Sequence, residues 1–221
     1  MSPIEPSEII IKELISLYDK KKFDELLRLS NEILGEFPNS ILIQNIQGVV
    51  YTELKNYRLA KDLFIKVIKL SPRYTDGYYN LANICSKLHE ENNAIENYNK
   101  VLELDKNYFK AHNNLGNIYR KKGLNKKAIE CYLSTLEINP NYKVAYYNLA
   151  GVLQFYIINE ENKNINKYLL YLLKEKIIVR PNSIAPNVLN NLYFSTDLKK
   201  NLSLIKDKIT DKNVNYILVR I

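Results

Sequence analysis

The sequence has few of the residues from which catalytic and metal sites are usually built. It contains six glycines, none of them clustered, and so lacks the glycine-rich loop that cradles phosphate groups. The two histidines are His89 and His112, and although Cys85 lies one helical turn before His89, no further ligand or orienting carboxylate follows at a matching spacing. We therefore predict a non-catalytic protein with no metal site and no cofactor.

Disulfide and membrane signals are absent as well. Cys85 and Cys131 are too few for a disulfide framework, and we expect both to be buried free thiols. No apolar run approaches the roughly 20 residues that a membrane-spanning helix needs, and residues 1–7 lack the regions of a signal peptide. The sequence therefore predicts a soluble, cytoplasmic protein that does not bind a membrane.

The charge is strongly positive but is not arranged as a nucleic-acid-binding stripe. The formal net charge is +8 at pH 7. Clustered Lys and Arg would release counterions on meeting phosphate, but the densest run, at 120–122 and 126–127, straddles a predicted turn between two helices. A solvated turn explains this run better than a nucleic-acid site does.

Two consecutive segments in the middle of the chain, 75–108 and 109–142, have similar sequences. The copies share Asn-Leu-small-Asn-Ile at 80–84 and 114–118, Ala-Ile-Glu at 94–96 and 128–130, and a tyrosine at 98 and 132. A unit this short cannot bury its own apolar face without neighbours, so a fixed period of this length predicts a stacked repeat protein.

Each copy has two stripes at helical spacing. Position 1 is the first residue of a copy, Thr75 or Phe109. The first stripe occupies positions 4, 7, 8 and 11, namely Tyr78, Leu81, Ala82 and Cys85, then His112, Leu115, Gly116 and Tyr119. The second occupies positions 20, 24 and 27, namely Ala94, Tyr98 and Val101, then Ala128, Tyr132 and Thr135.

This pattern resembles the tetratricopeptide repeat (TPR), a helix-turn-helix unit with small residues at positions 8 and 20. The resemblance implies an all-α fold: a right-handed superhelix, or α-solenoid, of about five helix pairs with a capping helix at the C-terminal end. It extends to the superhelical arrays of O-linked N-acetylglucosamine transferase and of bacterial TPR proteins.

The frame set by the two copies also predicts the domain organisation. Residues 1–6 form a disordered leader, and Ser7 is a plausible helix N-cap. The repeats are 7–40, 41–74, 75–108, 109–142 and a degenerate unit at 143–181. The prolines Pro38, Pro72 and Pro140 occupy one position of the frame, where a helix must end.

Residues 182–221 form a C-terminal cap and tail. The fifth repeat is longer than the others, and we place the additional residues near 159–166, before a second helix at 168–179. A short helix is possible at 186–194, and the stripe Leu198, Leu202, Ile205 and Ile209 predicts the capping helix. Residues 214–221 are β-branched and aromatic, and we favour an extended segment that folds back onto this helix. Docking on the repeats and pairing with another chain or domain are the alternatives.

The candidate binding residues lie on the first helix of each repeat. Positions 2, 6, 9 and 13 form a stripe opposite the packing stripe, and the first helices of such repeats line the concave groove. With position 5 at its edge, this stripe supplies Asp76, Tyr79, Asn80, Asn83 and Lys87 in the third repeat, Lys110, Asn113, Asn114, Asn117 and Lys121 in the fourth, and Tyr147 and Asn148 in the fifth. Val144, Gly151 and Phe155 complete the stripe of the fifth repeat.

Asparagine recurs at position 6, as Asn80, Asn114 and Asn148. A carboxamide both donates and accepts hydrogen bonds, so it can pair with the backbone of an extended peptide. The series resembles the asparagine ladder of O-linked N-acetylglucosamine transferase, which holds a peptide backbone. Asparagine is also frequent before Leu-Gly in the family, so a purely structural role is the alternative.

Two functions follow from the resemblance. The first is a non-catalytic protein-interaction scaffold that binds an extended peptide or protein segment, with Lys87 and Lys121 favouring an acidic partner. The second is a repeat module of an enzyme, as in the arrays that bacteria place before glycosyltransferase, sulfotransferase or oxygenase domains, with the catalytic part outside this chain. The sequence determines neither the partner nor the oligomeric state.

Overall fold

The computed structural model describes residues 5–155 and Tyr168. Across these residues the regular structure is helical and contains no strand. The helices are α1 (Glu8–Asp19), α2 (Phe23–Glu36), α3 (Ile41–Glu53), α4 (Tyr57–Leu70), α5 (Thr75–Lys87), α6 (Glu91–Leu104), α7 (Phe109–Lys121), α8 (Asn125–Ile138) and α9 (Lys143–Leu153). The predicted all-α class is confirmed. The chain divides into two compact units, Met1–Ala111 and His112–Ile221.

The helices repeat with the period of the sequence. The first helices α3, α5, α7 and α9 begin at Ile41, Thr75, Phe109 and Lys143, at equal intervals along the chain. Each proline at the shared position follows shortly after a second helix ends, because proline has no N–H to donate and its ring clashes with the preceding turn. The chain therefore turns back at the same point of each repeat.

Side chains cap two of these helices. The Ser40 hydroxyl accepts a hydrogen bond from the backbone N–H of Ile43 at 3.2 Å. The side-chain oxygen of Asn56, Oδ1, accepts one from the backbone N–H of Leu59 at 3.4 Å. Such bonds satisfy donors that have no partner inside the first turn. Ser7 precedes α1 as predicted, but its side chain makes no capping bond.

The end of the expected leader contacts the second repeat. The Glu5 carboxylate accepts a hydrogen bond from the Ile41 backbone N–H at 2.8 Å and a second one from the Ser40 hydroxyl. Pro6 is buried. A carboxylate at the first turn of α3 also meets the positive end of the helix dipole. Glu5 and Pro6 are thus anchored, whereas residues 1–4 lie outside the described ranges.

The turn inside each of the first four repeats contains one residue in the left-handed conformation. This residue is Lys21, Lys55, His89 and Gly123 in successive repeats, with φ of 55°, 59°, 60° and 73°. All four occupy position 15, so the backbone requirement is a property of the repeat. Glycine meets it without strain, whereas a side chain in this region costs free energy.

Helix pairs approach closely where small residues face aromatic ones. In the first unit, a Cβ added to Gly48 on α3 would lie 2.6 Å from Cε1 of Phe64 on α4. In the second unit, a Cβ on Gly116 of α7 would lie 2.7 Å from Cε1 of Tyr132 on α8. The alanines at position 20, Ala60, Ala94 and Ala128, are fully buried. The absence of a large side chain therefore sets the distance between the paired helices.

Several predictions fall on residues that the structure does not describe. These are the insertion at 159–166, the helix at 186–194, the capping helix at 198–209 and the tail at 214–221. Of the predicted helix at 168–179, Tyr168 is described: it is helical, 3% exposed, and its ring lies 6.1 Å from that of Tyr146 on α9.

The thiols and imidazoles have the following environments. Cys85 is 1% exposed and free, as predicted, whereas Cys131 is free but only partly buried. Burial raises the pKa of the Cys85 thiol to about 11, with the Glu90 carboxylate adding to the rise. His89 is exposed in its turn, and His112 is half-buried on α7.

Candidate functional site

The predicted binding face is divided between exposed ends and a half-buried centre. Asp76, Lys87, Lys110, Lys121 and Tyr147 are exposed; Tyr79, Asn80, Asn83, Asn114, Asn117 and Asn148 are half-buried; Asn113 is 2% exposed. The cationic side chains therefore reach solvent, and the amides lie deeper in the helix surface.

The asparagines at position 9 bond to tyrosines of their own repeat. The Tyr98 hydroxyl on α6 donates to Asn83 Oδ1 at 2.5 Å, and the Tyr132 hydroxyl on α8 donates to Asn117 Oδ1 at 2.8 Å. Both tyrosines are almost fully buried. Each bond connects the two helices of one repeat and satisfies a phenol that would otherwise lack a partner in the core.

Two of the asparagines at position 6, Asn80 and Asn148, bond to the preceding repeat. Asn80 Nδ2 donates to Asn45 Oδ1 at 2.9 Å, between α5 and α3. Asn148 Nδ2 donates to Asn113 Oδ1 at 2.9 Å, between α9 and α7. In both bonds the acceptor is the position 5 residue, so the same geometry recurs in each unit. Part of the amide capacity predicted for a partner is thus used between neighbouring first helices.

The fourth repeat adds a further amide contact. Asn113 Nδ2 donates to Asn114 Oδ1 at 3.2 Å. Since Asn113 also accepts from Asn148 and is almost fully buried, its amide stabilises the stack of helices from within.

Asp76 and Tyr79 belong to an aromatic cluster in the first unit. The Tyr108 hydroxyl donates to Asp76 Oδ1 at 2.8 Å. The Tyr79 ring lies 4.9 Å from the Tyr108 ring and 6.0 Å from the Tyr98 ring, measured between centroids. Burial and the bond to Asp76 raise the pKa of Tyr108, so its phenol stays a donor far above neutral pH. The cluster fixes this end of α5.

Asn45 is a residue that the sequence analysis missed. It lies half-buried on α3 at position 5, and its carbonyl receives the bond from Asn80. The sequence does contain a signal for it, because Asn45 aligns with Asn113 at position 5. The predicted face, however, includes only the third, fourth and fifth repeats.

Positive charge continues from the face into the turn after α7. Arg120, Lys121, Lys122, Lys126 and Lys127 are all exposed, as a solvated turn requires. Lys127 Nζ lies 5.6 Å from the centroid of the Tyr119 ring, within the range of a cation–π interaction.

Along α9 and the two residues that follow it, the face becomes apolar. Val144, Tyr147 and Phe155 are 46%, 42% and 87% exposed. This composition differs from that of α5, where Asp76 and Lys87 occupy the equivalent ends of the stripe.

Metal-binding clusters and membrane-spanning helices are not found among the described residues. Among them, no three or more His, Cys, Asp or Glu side chains are grouped closely enough to hold a metal ion. Within the same part of the chain, none of the helices has the length and apolar character needed to cross a bilayer.

Three family models match the sequence. Residues 43–74 and 109–142 match models described as tetratricopeptide repeat, and residues 90–123 match one described as TPR repeat. The comparison with curated protein sequences found no significant match.

Solved structures of TPR proteins have a similar fold. MamA is similar with a TM-score of 0.63 and 23% identity, and the match covers 78% of this chain and 95% of that one. YrrB, described as a TPR protein with an unusual peptide-binding site, has a TM-score of 0.58 and 19% identity, with coverage of 86% and 91%. The first TPR of Spaghetti (RPAP3), bound to the HSP90 peptide SRMEEVD, has a TM-score of 0.50 and 24% identity, with coverage of 52% and 90%.

The sequence period, the helix pairs and the family models agree with one another. First helices begin at equal intervals, and a glycine faces an aromatic ring inside two of the helix pairs. Two of the models match the second and fourth repeats of this frame. The chain is therefore a member of the tetratricopeptide-repeat family.

Proposed function

We propose that this chain is a non-catalytic protein-interaction scaffold that holds an extended peptide or protein segment against the first helices of its repeats. The observation that supports this most directly is the composition of the candidate face. Half-buried amides recur at position 6 of α5, α7 and α9, as Asn80, Asn114 and Asn148. The first two of these helices also carry exposed lysines at position 13, Lys87 and Lys121.

The amides and the lysines have different roles in this proposal. An amide offers a donor and an acceptor and so pairs with a peptide backbone whatever its side chains. An exposed lysine contributes mainly to the rate of encounter and to the choice of partner. Among the described residues no carboxylate forms an ion pair with Lys87, Lys110 or Lys121. We therefore infer a preference for an acidic segment.

Two similar proteins favour a peptide as the ligand. YrrB is described with a peptide-binding site, and the first TPR of RPAP3 holds a peptide whose sequence contains two glutamates and an aspartate. The resemblance concerns the fold, and it makes an extended acidic peptide a reasonable first probe for this chain.

The proposal is tested by selecting peptides from a displayed library on the full chain and measuring the affinity of the best one. Changing Asn80, Asn114 and Asn148 together to Ala should weaken binding on the order of a hundredfold, since each lost hydrogen bond contributes about 1 kcal/mol. A matched control changes three exposed asparagines away from the face, Asn39, Asn99 and Asn141, and should leave the affinity unchanged. Equal affinities for the two triple variants would show that the face is not the binding site.

The acidic preference has its own control. Changing Lys87 and Lys121 to Glu should slow association and reduce its dependence on salt. Changing the exposed Lys66 and Lys69 of α4 to Glu alters the net charge by the same amount away from the face. An equal effect from both pairs would mean that only the overall charge matters.

A further inference from the structure

The Asn45–Asn80 pair has unused hydrogen-bonding capacity of a defined kind. The bond between them uses one N–H of Asn80 and the carbonyl of Asn45. Among the described residues, Asn45 Nδ2 donates no hydrogen bond and Asn80 Oδ1 accepts none. The pair therefore offers a donor on α3 and an acceptor on α5 at the edge where the two first helices meet.

The equivalent pair in the second unit differs. Asn113 Nδ2 already donates to Asn114, and Asn113 is 2% exposed, whereas Asn45 is only half-buried. The same type of hydrogen bond joins the two residues of each pair. Within the described part of the chain, only in the first pair does the accepting asparagine, Asn45, keep an Nδ2 group that donates no hydrogen bond. This difference makes the second pair an internal control for the first.

We infer that Asn45 and Asn80 together form a subsite for one backbone residue of the bound segment. Asn45 Nδ2 donates to the C=O of that residue, and Asn80 Oδ1 accepts from its N–H. This is the exchange that two residues make across an antiparallel ladder, and here two side-chain amides take the place of a strand. The inference rests on the proposed function and adds Asn45 as a binding residue.

The bond between the two amides fixes their orientation. An isolated asparagine side chain must lose rotational freedom when it binds, and the pair has already lost part of it on folding. The neighbouring face of α3 is apolar, with half-buried Leu42, Ile46 and Val49 close to Asn45 along the helix. Reduced access of water strengthens a backbone hydrogen bond at such a site.

The probe is the tightest peptide selected from the displayed library on the full chain. A set of analogues replaces each backbone amide in turn with an ester, which removes one N–H and weakens the carbonyl of the same linkage as an acceptor. At one position the ester should weaken binding by roughly tenfold in the wild type, because one hydrogen bond contributes about 1 kcal/mol. The same ester should have little further effect on the Asn80→Ala variant.

The Asn45 donor is tested with Asn45→Asp. This variant keeps an oxygen to accept from Asn80 but replaces the NH₂ group with a second acceptor, which repels a peptide carbonyl. Binding should weaken by roughly tenfold or more, while the melting temperature measured by circular dichroism stays near that of the wild type. Asn113→Asp, at the buried pair, should instead lower the melting temperature. Asn99→Asp, at an exposed asparagine away from the face, is the affinity control and should bind the peptide within about twofold of the wild type.

The outcomes separate this inference from the proposed function. If a peptide is selected and the triple alanine variant loses it, but Asn45→Asp binds normally and no ester couples to Asn80, the subsite is wrong and the scaffold function stands. If no peptide is selected from the library, both are overturned. Coupling of one ester to Asn80 together with weaker binding by Asn45→Asp establishes the subsite.

Discussion

The hydroxyl of Tyr132 donates a hydrogen bond to Asn117 Oδ1 at 2.8 Å, from the second helix of the fourth repeat to its first. The same bond joins Tyr98 to Asn83 in the third repeat. Burial raises the pKa of Tyr132 to about 12, so the phenol remains a donor at neutral pH. An amide of the predicted binding face thus also holds the helix pair together.

Tyr132→Phe should lower the free energy of unfolding by about 1 kcal/mol, because the ring still fills its site but Asn117 loses its donor. Tyr98→Phe should have a similar effect through Asn83. Urea unfolding at pH 7 measures both. Tyr147→Phe serves as the control, since Tyr147 is 42% exposed, and should change stability by less than about 0.5 kcal/mol. A loss in the control as large as that in Tyr132→Phe would contradict this account.

The left-handed conformation at position 15 predicts that two substitutions there change the free energy of unfolding in opposite directions. His89→Gly should raise the free energy of unfolding by about 0.5–1 kcal/mol, because relief of the backbone strain exceeds the entropy that glycine adds to the unfolded chain. Gly123→Ala should lower it by about 1 kcal/mol for the reverse reason. Thermal melts followed by circular dichroism test both variants.

Gly35→Ala distinguishes this effect from a general response to glycine. Gly35 lies in the last turn of α2, and a Cβ there would meet nothing within 4 Å. Alanine favours the helix, so this variant should gain about 0.5–1 kcal/mol. If Gly35→Ala and Gly123→Ala shift the melting temperature in the same direction, the conformational explanation fails.

The buried thiol of Cys85 predicts a loss of stability in alkali. Its pKa is raised to about 11 in the folded chain, whereas an exposed thiol has a pKa of about 8.5. Between these values the folded state keeps a proton that the unfolded state has lost, so stability falls as pH rises and is fully present below about pH 8. The contribution of the Cys85 thiol to the slope of the free energy of unfolding against pH approaches roughly 1.4 kcal/mol per pH unit.

Cys85→Ala should remove this part of the slope. The free energy of unfolding is measured with urea under reducing conditions at pH 9.5 and at pH 10.5. Its decrease between these two pH values should be about 1 kcal/mol smaller in the variant than in the wild type. Between pH 6 and 8 the two proteins should have parallel profiles, even if the smaller side chain lowers the overall stability. Parallel profiles throughout the alkaline range would mean that the thiol is not the responsible group.

The sequence predicted the architecture because the architecture depends on period and side-chain size. Pro38, Pro72 and Pro140 mark where helices end, and glycine at positions 48 and 116 marks where an aromatic ring enters the pair. Both signals are local and recur in register. The all-α class and the TPR family therefore followed from the residues alone.

The hydrogen bonds of the candidate face were not predictable in the same way. Helical spacing places Asn83 on the predicted binding face of α5, but it does not reveal that the phenol of Tyr98 donates to the same amide from α6. Nor does it show that Asn113 becomes almost fully buried between its neighbours. Likewise, Gly123 signals a left-handed turn, whereas Lys55 and His89 adopt it only because the helices on either side impose it.

The amide pairs and the close approaches of glycine to aromatic rings recur at a longer period than the repeat itself. The second and fourth repeats have Asn45 and Asn113 at position 5 and Gly48 and Gly116 at position 8, so these residues recur at twice the repeat period. The third and fifth repeats have Tyr79 and Tyr147, and Ala82 and Ala150, at these positions. Repeats two apart thus resemble each other at sites where adjacent ones differ. Exchanging the first helices of adjacent repeats would therefore place Ala82 where Gly48 now meets the Phe64 ring, whereas exchanging those of repeats two apart would keep a glycine in register.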